Sequence, residues 1–254
     1  MLVLPDCISW RAWRLGVSNY RIQAQPSAPS SNSANDKEYF PQDWFADRVA
    51  SLGLPLHLQG RNSYPDFWVG DETRLPREGY EIKSLAFSNG RPARKDYDSN
   101  STIPSGHKDG RDTFLVFFLY TGSGANARPV HSLCIAHGDL INADHEVAAA
   151  HINEGIARFG SYGDGFIRDR KMYRFPQPFT LDPAGIGRCR LILPEQWGIS
   201  DPRLIQVETL ERTIFAASLD SYCVYLDGKT SPTTHGNPRP DAGQVRRFQV
   251  FEHA

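Results

Sequence analysis

Residues Thr113 to Tyr120 read TFLVFFLY, a near-continuous run of β-branched and aromatic side chains. A strand with one wet face alternates apolar and polar residues, and this run does not. It is also far shorter than a bilayer span requires. It suits a strand covered on both faces, as in the middle of an α/β sheet. A chain of 254 residues can bury enough surface to provide that cover. Upstream, Tyr64 to Gly70 (YPDFWVG) and Tyr80 to Ala86 (YEIKSLA) read as two strands joined by the polar turn DETRLPREG. Further strands are expected at 130–136, 188–193, 222–226 and 246–251. PQDWFADRVASL, 41–52, has apolar residues at 44, 45, 49 and 52, a helical spacing stopped by Gly53 and Pro55. GDLINADHEVAAAHINEGIARFG, 138–160, is expected to be helical in its central part. The sum is an α/β fold with a central mixed β-sheet flanked by helices and decorated by long loops.

Residues 24–36, AQPSAPSSNSAND, have almost no bulky apolar side chain and read as a linker or loop. The expected organisation is therefore an N-terminal segment, 1–36, and a single domain, 37–254. MLVLPDCISWRAWRLG at the start has neither an early basic segment nor a long apolar run, so no signal peptide is expected. Cys7, Cys134, Cys189 and Cys223 form no C-x-x-C pair, which argues against a structural zinc site or disulfide framework and for a cytoplasmic setting. His137, His145 and His151 lie in one region but lack the H-E-x-x-H spacing, and no zinc site is expected there. No stretch is apolar for long enough to cross a membrane.

The residues that carry chemistry are Asp66, in Tyr64-Pro65-Asp66-Phe67-Trp68, and the later tripeptide Glu81-Ile82-Lys83. Alternate strand residues share a face, so Glu81 and Lys83 point one way while Ile82 points into the core. A hairpin between the two strands brings the Asp66 carboxylate beside Glu81. Two carboxylates suit Mg²⁺, a hard cation that prefers oxygen ligands, and the carbonyl of Ile82 offers a third oxygen. A neighbouring ammonium offsets charge on a phosphoryl transition state. Other Pro-Asp pairs (Pro5-Asp6, Pro240-Asp241) and other acid-x-Lys tripeptides (Asp169-Arg170-Lys171, Asp227-Gly228-Lys229) lack the matching partner strand.

This pattern resembles the PD-(D/E)xK nuclease superfamily over about residues 40–120. The resemblance implies a restriction-endonuclease-like core and a Mg²⁺-dependent phosphodiesterase. Asp66 and Glu81 would be its metal ligands and Lys83 its catalytic lysine. The family often adds an acid on the preceding helix, where Asp43 and Asp47 stand, with Glu38 just upstream; Asp47 is the first choice.

The net charge of −1 does not announce a nucleic-acid binder, but local strips do. Residues 74–95 include Arg94 and Lys95, and the long polar stretch 87–112 includes His107. A second strip, Gly-rich at first, carries Arg168, Arg170 and Lys171. Ser84 follows the catalytic tripeptide. These seven are the candidate contacts to double-stranded DNA. The Gly-rich segment matches no cofactor fingerprint. A type II restriction endonuclease acting as a homodimer is the expected function, because a symmetric duplex site needs two cuts. A structure-specific repair nuclease and a catalytically silent DNA-binding module of the same fold are the alternatives.

Overall fold

The computed structural model describes residues 23–24, 41–43, 45–46, 49–50, 53–59, 63–70, 78–88, 91–92, 96–100, 105–120, 128–153, 168–176, 189–202, 204–216, 222–226, 229–233 and 239–253. In chain order the first strands are β1 (Gln23–Ala24), β2 (Leu56–Leu58), β3 (Phe67–Val69) and β4 (Glu78–Ser88). They are followed by β5 (Arg91–Pro92), β6 (Asp96–Asn100), β7 (His107–Lys108), β8 (Arg111–Tyr120) and β9 (Arg128–His137). Then come β10 (Glu146–Asn153), β11 (Arg168–Pro176), β12 (Cys189–Pro194) and β13 (Leu204–Thr213). Last are β14 (Tyr222–Leu226), β15 (Lys229–Thr233) and β16 (Val245–His253). The described residues between 41 and 50 are helical (α1), and a short helix α2 spans Gly138–Asp144. None of the described helices is long and apolar enough to cross a membrane.

The larger sheet has the order β13-β16-β12-β9-β8-β4-β3-β2. β4 pairs with β8 in parallel, as does β12 with β9; the other neighbours on this path are antiparallel. It is thus a central mixed sheet, with the TFLVFFLY strand interior to it. β8 feeds both faces by alternation: Phe114 and Val116 enter one core, Leu115, Phe117 and Leu119 the other. On the first face α1 contributes Phe45 and Val49. The Phe45 ring packs 5.9 Å from Phe67 and 5.1 Å from Tyr80, and Tyr80 stacks 5.6 Å from Phe114. Truncating a fully buried Phe of this kind costs about 3–5 kcal/mol. On the second face α2 covers the sheet with Leu140 and Ile141.

Among the described residues helical cover is thin, less than the flanking helices the sequence suggested. The expected helix in the centre of 138–160 is also corrected. Helix is confined to α2, and EVAAAHIN forms β10, antiparallel to β11 and parallel to β14. Alanine favours helix by only tenths of a kcal/mol over most residues, and ladders on both sides of the segment override so small a preference.

The long stretch 87–112 is likewise not a plain loop, since it contains β5, β6 and β7. β6 joins a second sheet of order β15-β14-β10-β11-β6. There Asn100 lies opposite Met172 and Asp96 opposite Pro176. At the start of the described chain, Gln23 and Ala24 pair with Pro129 and Arg128; residues 25–36 lie outside the described residues.

Candidate active site

β3 and β4 form an antiparallel pair in which Phe67 faces Tyr80 and Trp68 faces Gly79. Continuing that register by one residue sets Asp66 against Glu81. The close approach depends on Gly79. A Cβ there would stand 2.6 Å from Pro65 Cγ and 2.7 Å from Thr113 Cγ2, nearer than real side chains come. Tyr80 and Ile82 enter the first core, so Glu81 and Lys83 project from the opposite face of β4.

The Asp66 carboxylate is held from two sides. Its Oδ2 accepts a 2.8 Å hydrogen bond from the backbone amide of Ile82. It is also hydrogen-bonded to the side chain of Gln42 on α1. Burial, and then the negative charge of Glu81, push its pKa up from an ordinary 3.8 to about 7, against the opposing pull of the Ile82 amide, Lys83 and Gln42. Glu81 is itself 9% exposed. Its Oε1 pairs with Lys83 Nζ at 2.8 Å, and its Oε2 is buried without a hydrogen-bond partner. Two carboxylates in electrostatic contact, one of them with an unsatisfied oxygen, are the donor set a small oxygen-seeking divalent cation fits.

Tyr64 braces the entry to β3, where the Tyr64–Pro65 peptide is cis. Its hydroxyl donates to the Ser105 carbonyl at 2.6 Å, accepts from the Ser105 amide at 3.2 Å, and lies 3.1 Å from Thr113 Oγ1. Burial drives the phenol far above its usual range, with small further contributions from the charges of Glu81 and Asp139. Lys108 Nζ donates to the Tyr64 carbonyl. Lys108 rides on a hairpin in which His107 faces Asp112 and Lys108 faces Arg111. Asp109 and Gly110 close it with φ of 52° and 72°, the left-handed pair that a two-residue turn demands.

No protein-family model matches the chain, and no curated protein sequence matches it.

Of the residues singled out by sequence, Asp66, Glu81, Ile82 and Lys83 come together. Ile82 contributes its amide to Asp66 and its side chain to the core. Ser84 follows on β4, half-buried. Asp43 is half-buried on α1; Asp47 lies outside the described residues, as do Arg94 and Lys95. Arg168, Arg170 and Lys171 lie on β11, opposite Asn153, His151 and Ala150. His107 is exposed and its Nδ1 sits 3.0 Å from Asp112 Oδ1. Sequence reasoning sought an acid on the helix and missed Gln42, its amide next to Asp43. It set His137 beside His145 and His151 along the chain, expected no metal site there, and did not pair His137 with His107. His137 meets His107 and Asp139. His145 instead bonds to Asn142 and Arg239, and burial lowers its pKa to about 4.

Proposed function

We propose that the chain is a Mg²⁺-dependent deoxyribonuclease of the PD-(D/E)xK type, a type II restriction endonuclease acting on double-stranded DNA as a homodimer. The observation that carries this reading is the meeting of Asp66 with the Glu81-Ile82-Lys83 strand, with one Glu81 oxygen buried and unsatisfied. Asp66, Glu81 and the carbonyl of Ile82 would hold the ion, with Asp47 as a further acid. When bound, Mg²⁺ supplies positive charge against the phosphoryl oxygens and acidity to a water.

The chain's own residues supply the rest. Lys83 holds its ammonium against Glu81 Oε1, where it counters charge that builds on the phosphoryl group. Asp66, which keeps its proton to about pH 7, releases it when a cation takes its place. Ile82 and Gln42 fix the Asp66 carboxylate and leave it little freedom to turn away from the ion.

DNA would be met by Ser84 and His107 near the site, and by Arg94, Lys95, Arg168, Arg170 and Lys171 on the basic strips. β6 and β11 are neighbours in one sheet, so the polar stretch and the second strip would act on DNA together.

The test is digestion of supercoiled plasmid and phage DNA in Mg²⁺ and in EDTA. Discrete fragments with defined ends are expected with Mg²⁺ alone. Cleavage confined to branched or nicked substrates would replace restriction with repair, and no cleavage in Mg²⁺ or Mn²⁺ would end the nuclease reading.

A further inference from the structure

His107, His137 and Asp139 converge from the β7–β8 hairpin, the end of β9 and the first turn of α2. One ligand atom from each lies within 4.8 Å of the other two. His137 is 0% exposed; its Nδ1 accepts from the Asp139 amide at 3.4 Å and lies 3.8 Å from Asp139 Oδ2. Its Nε2 is buried without a hydrogen-bond partner, 3.7 Å from Asp112 Oδ1 and too far to bond. An unsatisfied buried nitrogen costs about 1–3 kcal/mol, a cost that a rearrangement of the imidazole on binding an ion would relieve. His107 is turned so that Nδ1 meets Asp112 at 3.0 Å, which leaves Nε2 for an ion or for DNA but not for both. An imidazole oriented by a carboxylate on its other nitrogen is the usual preparation of a metal ligand. Asp139 is steadied by the Gly106 amide, which donates to its Oδ1 at 3.0 Å. Gly106 and Gly138 allow these segments to meet: a Cβ on Gly106 would run into His137, and one on Gly138 into the Ser105 carbonyl.

We infer that His107, His137 and Asp139 form a second metal site, for a borderline divalent transition-metal ion of the Zn²⁺ class. Two imidazoles and one carboxylate favour such an ion over Mg²⁺. In a tetrahedral site with bonds of about 2.0–2.1 Å the ligand atoms stand roughly 3.4 Å apart. His107, whose side chain is 61% exposed, has the freedom to close the remaining gap. The ion would clamp the β7–β8 hairpin to α2. Lys108 on that hairpin holds the Tyr64 carbonyl, two residues before Asp66, so occupancy of this site would steady the other.

Co²⁺, whose visible absorption reports tetrahedral nitrogen and oxygen ligation, is the probe. Titrated into the full chain it should bind with a visible band at one ion per chain. His107→Ala should abolish the band, and Asp112→Asn should weaken binding by about 10–100-fold. Asp66→Asn and Glu81→Gln should leave the band unchanged, which keeps this site distinct from the nuclease site. A wild-type chain with no band, a band that survives His107→Ala, or one lost in Asp66→Asn would each overturn the assignment.

Discussion

The amide of Ile82 donates a 2.8 Å hydrogen bond to Oδ2 of Asp66, so the residue between Glu81 and Lys83 is the one that fixes the Asp66 carboxylate. Ile82 is anchored by its side chain in the core under α1, and its backbone is tied into β4. The position of Asp66 is therefore set by the same packing that holds Glu81 and Lys83 on the far face of the strand.

Lys83→Ala should lower DNA cleavage by about 10²–10³-fold or more while DNA affinity stays within a few-fold, because the ammonium acts on charge that appears only in the transition state. Plasmid cleavage and gel-shift titration on the same preparation separate the two effects. Near-wild-type cleavage would remove Lys83 from the chemistry.

The raised pKa of Asp66 has a defined sign. A carboxyl that holds its proton to about pH 7 when folded, against 3.8 ordinarily, stabilises the folded state fully below about pH 3.8. That contribution is lost as pH rises to about 7. The metal-free chain should lose on the order of a few kcal/mol through this group across the interval, and Asp66→Asn should flatten the dependence. Chemical denaturation at pH 5 and pH 8 measures it.

Mg²⁺ binding should release close to one proton at pH 6, from Asp66, and almost none at pH 8.5. Calorimetric titration in buffers of different ionisation enthalpy gives the proton count. A count that does not change between the two pH values would contradict the role given to Asp66.

Gln42→Ala removes a hydrogen bond that favours the charged Asp66. The acidic limb of the pH–rate profile should move to higher pH, with little change in maximal rate. A profile superimposable on wild type would mean that Gln42 does not reach the carboxylate in solution.

Gly79→Ala should cost about 1–3 kcal/mol, because the added methyl meets Pro65 and Thr113 and must force β4 away from the entry to β3. The same displacement separates Asp66 from Glu81. Mg²⁺ affinity should fall along with the denaturation midpoint.

The strands were legible where side chains had no alternative. TFLVFFLY suits a strand covered on both faces, and the alternation around Ile82 put Glu81 and Lys83 on a shared face. EVAAAHIN was misread because its local preference is weak and its ladder partners lie far along the chain. The meeting of His107 with His137 was invisible for a related reason: antiparallel pairing of β8 with β9, and the β7–β8 turn, bring them together with no fixed spacing. Gln42 was passed over because a search for metal ligands looks for charge, and its contribution is a hydrogen bond to the charge.

β6 and β11 form a ladder of their own with β10, β14 and β15, while Glu81 and Lys83 lie on β4 of the other sheet and Asp66 stands just before its β3. Under the nuclease reading, Arg168, Arg170 and Lys171 would meet DNA from a strand that carries none of the cutting residues, while Ser84 shares β4 with Glu81 and Lys83. Selection could then rewrite the smaller sheet, and with it the preferred DNA, and leave the cutting strands unaltered.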